Sequence, residues 1–414
     1  MKILLIQHQG FINGQGGTEK VCSFLADHFA GAGHAVEIAT CENRTGKAVY
    51  VRHPHVTITN IYTPDIIQKH PRQLWNYTGK NPLLWIYYKI RKKRDKLFNH
   101  LLYKKLNGKD GLYLFNLQQR ASAWKQFIDA RKPDLIMTMS LSSVLEITYN
   151  NTYAIPIVNS TNGRPDYDYT DLLWYRSSID MYYLKAAYRH LAVIQVLFSS
   201  YRSFIPETFK GKCFTIPNPV PQIKEEERAD LQVSKKRYKI VSIASLITSC
   251  KQQDLSIEIF SAIAHIYPEW DLFFWGTGPD EKALRDLIKK KGLQNRIFLE
   301  GFTSAPLEKL KQADIFIFPS KFEGFPLALT EAMASGLPCL GLRSCSGVNE
   351  LIQHGENGFL ATDQAELQQQ LEILISQPET RSRMGTNAHL SMQCYAPETV
   401  IEKWNALIWE THPG

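Results

Sequence analysis

Short hydrophobic runs recur along the chain, and segments with apolar residues at helical spacing separate them. Ile3–Ile6 is the first run, and Ile315–Phe318 is continuously apolar. Between the first run and the next, Val21, Leu25 and Phe29 repeat at the spacing of one helix face. Apolar runs bounded by turn residues predict buried strands, and their alternation with helices is typical of parallel sheets. The pattern therefore predicts an α/β protein with doubly wound sheets.

The length and composition extend this prediction to two domains. A chain of 414 residues is too long for a single ordinary core, and its 44% hydrophobic and 21% charged content is typical of globular proteins. The first apolar run becomes polar at Gln7, too early for a signal peptide, and no run is apolar enough to span a bilayer. The seven cysteines are scattered without metal-ligand spacing, which indicates reduced thiols in a cytoplasmic protein without a structural metal.

Two acids follow the apolar run Ile315–Phe318. Glu323 lies in the predicted loop, Pro326 suits the first turn of a helix, and Glu331 lies more than one turn further on. The carboxyl end of a strand is where α/β sheets bind ligands, and a helix start favours an anion such as a diphosphate. Carboxylates at such a site suit sugar and ribose hydroxyls. The alternative is a pair of solvated acids stabilised by the helix dipole.

The sequence around these two acids resembles a known motif. Glu323-Gly324-Phe325-Pro326-Leu327 followed by Glu331-Ala332, with Gly336-Leu337-Pro338 beyond, is similar to the E-x7-E motif of retaining glycosyltransferases of family 4. The resemblance implies the GT-B fold, in which two Rossmann-like doubly wound domains face a cleft and the last helix crosses back to the first domain. It implies an N-terminal acceptor-binding domain over 1–220, a linker over 221–237, a C-terminal nucleotide-sugar-binding domain over 238–394 and a returning helix over 395–414.

The same resemblance implies the roles of the site residues. Glu323 and Lys251 would be catalytic, Glu331 would bind the ribose, and the loop of Phe302 and Thr303 would meet the base. The donor-binding residues implied in full are Gly16, Gly17, Ser245, Lys251, Phe302, Thr303, Glu323, Gly324, Phe325, Pro326, Leu327, Ala328 and Glu331. In the first domain, Asn162 and Arg164 would contact the acceptor. The resemblance implies no metal and no cofactor besides the nucleotide-sugar donor.

One position departs from the family pattern. The family usually has an arginine where this chain has Ser245, while the lysine that accompanies it is present as Lys251. Both cations neutralise the donor diphosphate in the family. We therefore expect Lys251 to act alone, or Arg343, Arg164 or another cation to compensate.

A basic and aromatic segment over 62–110 interrupts the α/β pattern. Between Lys69 and Lys109 the chain has twelve lysines and arginines against the single acid Asp95, a local charge of +11 in a chain of net charge +8. One or two amphipathic helices over 83–106 would carry these residues. Basic and aromatic residues together indicate binding to an anionic membrane surface or an anionic acceptor. The alternative is a surface segment that packs on its own domain.

The resemblance predicts retaining transfer of a hexose or N-acetylhexosamine from a UDP-sugar. The acceptor would be a hydroxyl of a glycan or a lipid-linked sugar in the synthesis of cell-surface polysaccharide or lipopolysaccharide, with the enzyme cytoplasmic and peripheral on the inner face of the plasma membrane. No nucleic acid partner is predicted, and the oligomeric state stays open. One alternative is a UDP-sugar epimerase of the same shape. The other is a non-catalytic subunit that binds sugar nucleotides, and the serine at position 245 would favour this second alternative.

Overall fold

A computed structural model describes residues 1–173 and 175–411 of the chain. The first sheet is parallel, with strand order β3-β2-β1-β4-β5-β6-β7. Its strands are β1 (Lys2–Ile6), β2 (Ala35–Thr40), β3 (Thr57–Asn60), β4 (Leu135–Thr138), β5 (Ile157–Ser160), β6 (Val193–Val196) and β7 (Lys212–Thr215). The helices of this domain are α1 (Gly17–Gly31), α2 (Pro82–Lys105), α3 (Gly108–Arg131), α4 (Leu141–Thr148) and α5 (Ser178–Ala187).

The second sheet is also parallel, with strand order β10-β9-β8-β11-β12-β13. Its strands are β8 (Tyr238–Ile243), β9 (Trp270–Trp275), β10 (Ile297–Gly301), β11 (Ile315–Phe318), β12 (Cys339–Leu342) and β13 (Gly358–Ala361). The helices that follow β8 in the chain are α6 (Thr248–Lys251), α7 (Gln253–Ile263), α8 (Glu281–Lys291), α9 (Pro306–Lys311), α10 (Leu327–Ala334), α11 (Val348–Leu351), α12 (Gln364–Ser376), α13 (Pro378–Ser391) and α14 (Pro397–Thr411). In each sheet the strand order reverses beside a central strand, as in doubly wound folds, so the predicted fold class is confirmed.

The last helix returns to the first domain. Val400, Trp404 and Leu407 of α14 are buried in the same apolar cluster as Ile3 and Leu5 of β1. Beside this crossing, the N–H of Val220 donates to the carbonyl of Tyr395 at 2.9 Å, so the two chain segments that join the domains run next to each other. The predicted return of the helix is therefore confirmed, while residues 412–414 of the predicted range lie outside the described residues.

The residue pattern predicts a strand at 155–158 with Asn159 in the loop after it, and a helix near 117–130, and the structure differs from these bounds. The strand expected at 155–158 lies at Ile157–Ser160, because Pro156 offers no N–H to the sheet. Asn159, expected in a loop, is buried in this strand and accepts a hydrogen bond from Thr138 Oγ1 at 2.9 Å. The helix expected near 117–130 begins at Gly108, directly after the basic helix α2, and only its core-facing residues are apolar enough to be recognised from the sequence.

Residues 82–105 of the basic segment form one long helix. α2 covers 24 residues, and of these Asp95 and Leu102 are buried while α3 packs along the helix. Among the helices that the structure describes, none has both the length and the apolar character needed to cross a membrane.

Candidate active site

The loop after β11 brings the two predicted carboxylates to the edge of the second sheet. All of β11 is buried, and α10 starts at Leu327 with Pro326 in the N-cap position and no side chain capping its free N–H groups. Leu329 and Met333 bury the inner face of α10 and so fix the helix start at the carboxyl end of β11. The result is an uncapped helix N-terminus, which attracts an anion, between Glu323 and Glu331.

Lys251 and Glu323 form an ion pair at this site. Lys251 is the last residue of α6, and its Nζ lies 2.5 Å from Glu323 Oε1. The next residue, Gln252, has a positive φ of 49° and donates through its side chain to the carbonyl of Pro319 at 2.7 Å, so the turn holds Lys251 against the loop. The structure therefore brings together the two residues that were predicted to be catalytic.

A second lysine reaches the site from the other domain. Lys20 of α1 places its Nζ 3.0 Å from Glu331 Oε1, and the Glu331 side chain is 12% exposed. Gly17 lies at the start of α1, where a Cβ would come within 3.3 Å of Leu327 Cδ1 at the start of α10. Two helix N-termini without a side-chain cap, from different domains, therefore lie next to each other.

The glycine-rich turn before α1 is close to an acid of its own helix. Glu19 accepts from Gln7 Nε2 at 2.5 Å, and a Cβ on Gly16 would come within 2.5 Å of Glu19 Oε2. Gly16 is therefore needed for the carboxylate to fold over the turn. The predicted reason for glycine here, close approach of the donor diphosphate, stays a prediction.

The first domain holds the loop that carries Glu323. The hydroxyl of Tyr201 donates to the carbonyl of Gly324 at 3.0 Å and accepts from Ser346 Oγ at 2.7 Å. The ring of Phe325 stacks on Phe198, with 5.5 Å between ring centroids. A Cβ on Gly324 would lie only 1.9 Å from the carbonyl oxygen of Asn162, so the two backbones are in direct contact.

Sequence reasoning missed Tyr201 and Phe198. They belong to the short segment after β6, and no residue pattern in that segment points to the motif loop more than 120 positions later. Their role is visible only once the two domains are brought together.

The two predicted acceptor residues are placed differently. Asn162 donates through Nδ2 to the carbonyl of Met139 at 2.5 Å, and its backbone touches the motif loop. The Arg164 guanidinium donates to both carboxylate oxygens of Asp166, at 2.7 and 2.9 Å, and lies over the ring of Phe204. Arg164 is thus bound within its own loop, whereas the backbone of Asn162 is part of the domain contact.

The remaining predicted donor residues lie in loops that follow strands of the second sheet. Ser245 is exposed after β8, and its carbonyl accepts from Gln253 Nε2 at 2.8 Å. Phe302 after β10 is 55% exposed, and Thr303 Oγ1 accepts from the N–H of Ala305 at 3.1 Å. Because β8, β9 and β10 are neighbours in a parallel sheet, these loops share the edge at which α10 begins.

A second lysine near the motif, Lys20, was not identified from the sequence. Arg343 donates to the carbonyl of Leu360 at 3.3 Å, and Arg164 pairs with Asp166, so these two candidates are engaged elsewhere. Lys20, by contrast, contacts Glu331 of α10. The sequence could have pointed to Lys20 through its position one helical turn after Gly16-Gly17, which places the lysine side chain near the start of α1.

Polar side chains also line the first-domain side, at the carboxyl ends of β1 and β4. His8 Nδ1 lies 2.9 Å from Ser143 Oγ, which in turn lies 3.0 Å from Ser140 Oγ. Burial lowers the pKa of the His8 imidazole, and the Glu146 carboxylate opposes this effect. A neutral imidazole with two hydroxyls can exchange hydrogen bonds with a hydroxylic ligand.

The second domain matches a protein family. Residues 223–390 match the family described as Glycosyl transferases group 1. The chain is 30% identical over 205 residues to an uncharacterized glycosyltransferase of Haemophilus influenzae, covering 49% of this chain and 57% of that protein. It is 30% identical over 200 residues to the poly(glycerol-phosphate) alpha-glucosyltransferase of Bacillus subtilis, covering 48% of this chain and 29% of that protein. The chain thus spans less than two thirds of the length of these relatives.

Solved structures resemble the whole chain. The lipopolysaccharide outer core galactosyltransferase WaaB in its apo form matches with a TM-score of 0.69 at 16% identity and covers all of both chains. The fold is GT-B. Staphylococcus aureus TarM, in a complex with Fondaparinux, alpha-GlcNAc-glycerol and UDP, matches with a TM-score of 0.71 at 14% identity over 98% of this chain and 99% of that one. These structures show the fold alone, and the family match over 223–390 supports the predicted transferase.

Proposed function

We propose that this protein is a retaining glycosyltransferase of family 4 that uses Glu323 and Glu331 as its E-x7-E motif. It transfers a hexose or N-acetylhexosamine from a UDP-sugar to a hydroxyl of a glycan or lipid-linked acceptor, in the synthesis of cell-surface polysaccharide or lipopolysaccharide. The observation that carries the proposal is the pairing of Lys251 with Glu323 beside the uncapped start of α10.

In the proposed complex the donor diphosphate lies at the adjacent helix starts of α1 and α10. Glu331 accepts the ribose hydroxyls and Glu323 accepts sugar hydroxyls. Each carboxylate then exchanges its lysine for a donor hydroxyl, and the two ammonium groups, Lys251 and Lys20, become available to the phosphates. This exchange compensates for the serine at position 245.

The chemical step follows from this arrangement. The bond from the sugar C1 to the leaving phosphate oxygen breaks while the acceptor oxygen bonds to C1 on the same face, and the acceptor proton passes to the leaving phosphate. The charge that develops on the diphosphate is stabilised by Lys251, Lys20 and the N–H groups of α10. Since these groups can neutralise the diphosphate, we propose that the reaction requires no bound metal.

The names of relatives support the substrate class. One sequence relative is described as a poly(glycerol-phosphate) alpha-glucosyltransferase and one structural neighbour as a lipopolysaccharide galactosyltransferase. The TarM structure was determined with UDP and alpha-GlcNAc-glycerol. A cytoplasmic location stays a prediction.

The test is a panel of nucleotide sugars, with release of the nucleotide diphosphate measured with and without glycan acceptors and the product anomer assigned by NMR. We expect turnover of a UDP-sugar, retention at C1 and no loss of rate with a chelator. Glu323→Gln and Lys251→Met should each lower transfer by a factor of roughly 100 or more. The matched controls are Glu258→Gln and Lys291→Met, which remove a surface ion pair of the same domain and should keep the full rate.

Three outcomes would contradict the proposal. Turnover of no donor would exclude the transferase, and an epimerised sugar formed without any acceptor would identify an epimerase. Full transfer by both Glu323→Gln and Lys251→Met would show that the reaction uses another site.

A further inference from the structure

Helix α2 exposes an apolar stripe that the exposed Arg94 interrupts near its middle. Its members recur at the spacing of one helix face and are between 37% and 75% exposed: Leu83, Ile86, Tyr87, Ile90, Leu97, Phe98 and Leu101. The buried residues Asp95 and Leu102 lie on an adjacent face, which packs toward α3. A helix that packs on one face and exposes large apolar residues on another has a surface that suits a second apolar phase.

Basic residues border this stripe. Lys89, Lys93 and Lys96 fall on the helix face next to it, and Lys89 Nζ lies 4.5 Å from the centre of the exposed Trp85 ring. Apolar and aromatic residues flanked by lysines are typical of helices that lie in the plane of a membrane interface. The charge complements an anionic surface rather than a neutral one.

A pocket rich in arginine lies beside the stripe. Arg72, Arg91 and Arg94 surround the buried carboxylate of Asp95, with N–O distances of 3.3, 3.7 and 3.6 Å. Three guanidinium groups share one carboxylate, so the pocket keeps a surplus charge of +2. The cavity has a volume of about 470 Å³ and is also lined by Trp75.

The pocket is held in shape by contacts between α2 and the segment before it. The N–H of Arg72 donates to Asn99 Oδ1 at 2.7 Å, and Asn99 Nδ2 donates back to the Arg72 carbonyl at 2.9 Å. The Arg72 guanidinium also lies 4.1 Å from the centre of the Phe98 ring. These contacts fix Arg72 opposite Arg91 and Arg94 before any ligand binds.

We propose that α2 is an in-plane anchor on an anionic phospholipid bilayer, and that the arginine pocket binds the phosphate of one lipid head group. The apolar stripe lies at the level of the acyl chains, and a fork of guanidinium N–H groups matches phosphate geometry. Trp75, which lines the pocket and is 50% exposed, suits the polar boundary of the bilayer. This anchoring goes beyond the proposed transfer reaction and does not depend on it.

The experiment is sedimentation of the full chain with vesicles of phosphatidylcholine alone and of phosphatidylcholine mixed with phosphatidylglycerol. We expect binding to the mixed vesicles that weakens as salt is raised. Replacing Ile90 and Leu97 together by Asp, or Arg91 and Arg94 together by Gln, should weaken it by roughly 10-fold or more. The matched control replaces Lys289 and Lys290 of α8 by Gln, which removes the same charge from an exposed helix and should bind almost as wild type does.

A charge-conserving variant distinguishes specific phosphate binding by the arginine pocket from non-specific electrostatic attraction to the vesicle surface. Replacing Arg91 and Arg94 together by Lys keeps the charge but removes the planar fork, so binding should still fall several-fold. Binding equal to wild type in this variant would overturn the pocket. Circular dichroism and thermal melting check that every variant is folded.

Other results would overturn the anchor as a whole. These are a wild-type chain that stays in the supernatant, or a control that loses as much binding as the arginine variant. Sedimentation equilibrium of the wild type and of the Asp variant measures the oligomeric state. A dimer that the Asp variant dissociates would make the stripe a subunit interface instead. Because no donor is present, these results do not depend on whether the proposed transfer occurs.

Discussion

The ammonium nitrogen of Lys20 lies 3.0 Å from a carboxylate oxygen of Glu331, although the two residues are 311 positions apart and belong to different domains. Lys20 follows the glycine-rich turn of the first domain, and Glu331 is the second acid of the motif. In the proposed complex this lysine takes the place of the arginine that the chain lacks at position 245. The donor site is then complete only when both domains are together.

Lys20→Met should raise the KM for the donor by roughly 10- to 100-fold, because a hydrogen bond to a charged group contributes about 1.5–3 kcal/mol. The thermal midpoint should hardly change, since the Lys20 side chain is 36% exposed and ion pairs at such exposure are weak. Lys20→Arg should keep most of the activity. Lys2→Met, at the amino end of β1 and so at the opposite edge of the sheet, is the control.

An unchanged donor KM in Lys20→Met would mean that the lysine only joins the domains. In that case the diphosphate would depend on Lys251 alone.

Ser245→Arg should restore donor binding when it is added to Lys20→Met. Ser245 is exposed, so the longer side chain can reach the cleft without displacing core residues. We expect the double variant to recover at least half of the lost free energy, measured by titration calorimetry with UDP. Ser245→Arg alone should bind UDP at least as tightly as wild type. A double variant as weak as Lys20→Met would exclude the idea that the two positions serve the same phosphates.

Gly324→Ala should disturb the contact between the domains. The new Cβ would meet the Asn162 carbonyl oxygen at 1.9 Å, so one backbone must move, at about 1–3 kcal/mol for overpacking of this kind. Transfer should fall by at least tenfold because Glu323 is the neighbouring residue. Gly31→Ala, at the end of α1 with open space around it, should be neutral or stabilise by up to about 1 kcal/mol. Equal melting temperatures for the two variants would contradict the packing described for the loop.

His8 should make stability depend on pH. Burial lowers its pKa below the ordinary value of 6.5, so the unfolded chain binds the proton first as the pH falls. Stability should therefore decrease as the pH drops through 6.5 toward the pKa of the folded state, and His8 should contribute almost no pH dependence from about one unit above 6.5 upward. Thermal melts of wild type and His8→Gln across this range should show the smaller decrease in the variant. A parallel decrease in both would assign the effect to other groups.

The motif loop could be predicted because its signals are local. A buried strand, a proline at a helix start and two acids at fixed spacing all occur within the segment 315–331, and backbone chemistry at a helix start does not need distant residues. Lys251 was found only through the family resemblance. Its pairing with Glu323 depends on the turn at Gln252, which has a positive φ that the sequence does not indicate.

The contacts between the domains could not be predicted in the same way. Tyr201, Phe198 and Lys20 become part of the site through the relative placement of two sheets, and no periodicity along the chain encodes that placement. The strand at Ile157–Ser160 was misplaced for a related reason. Asn159 and Ser160 look like loop residues until Thr138 and Gln195 supply their hydrogen-bond partners.

The burial of α14 under the first sheet sets an order for folding during synthesis. Val400, Trp404 and Leu407 complete the apolar cluster that begins with Ile3, so the core of the first domain is complete only after α14 has been synthesised. The second domain has its whole sheet by Ala361 and can form earlier. The two cores therefore become complete in the reverse of the usual N-terminal-first order for domains of a growing chain.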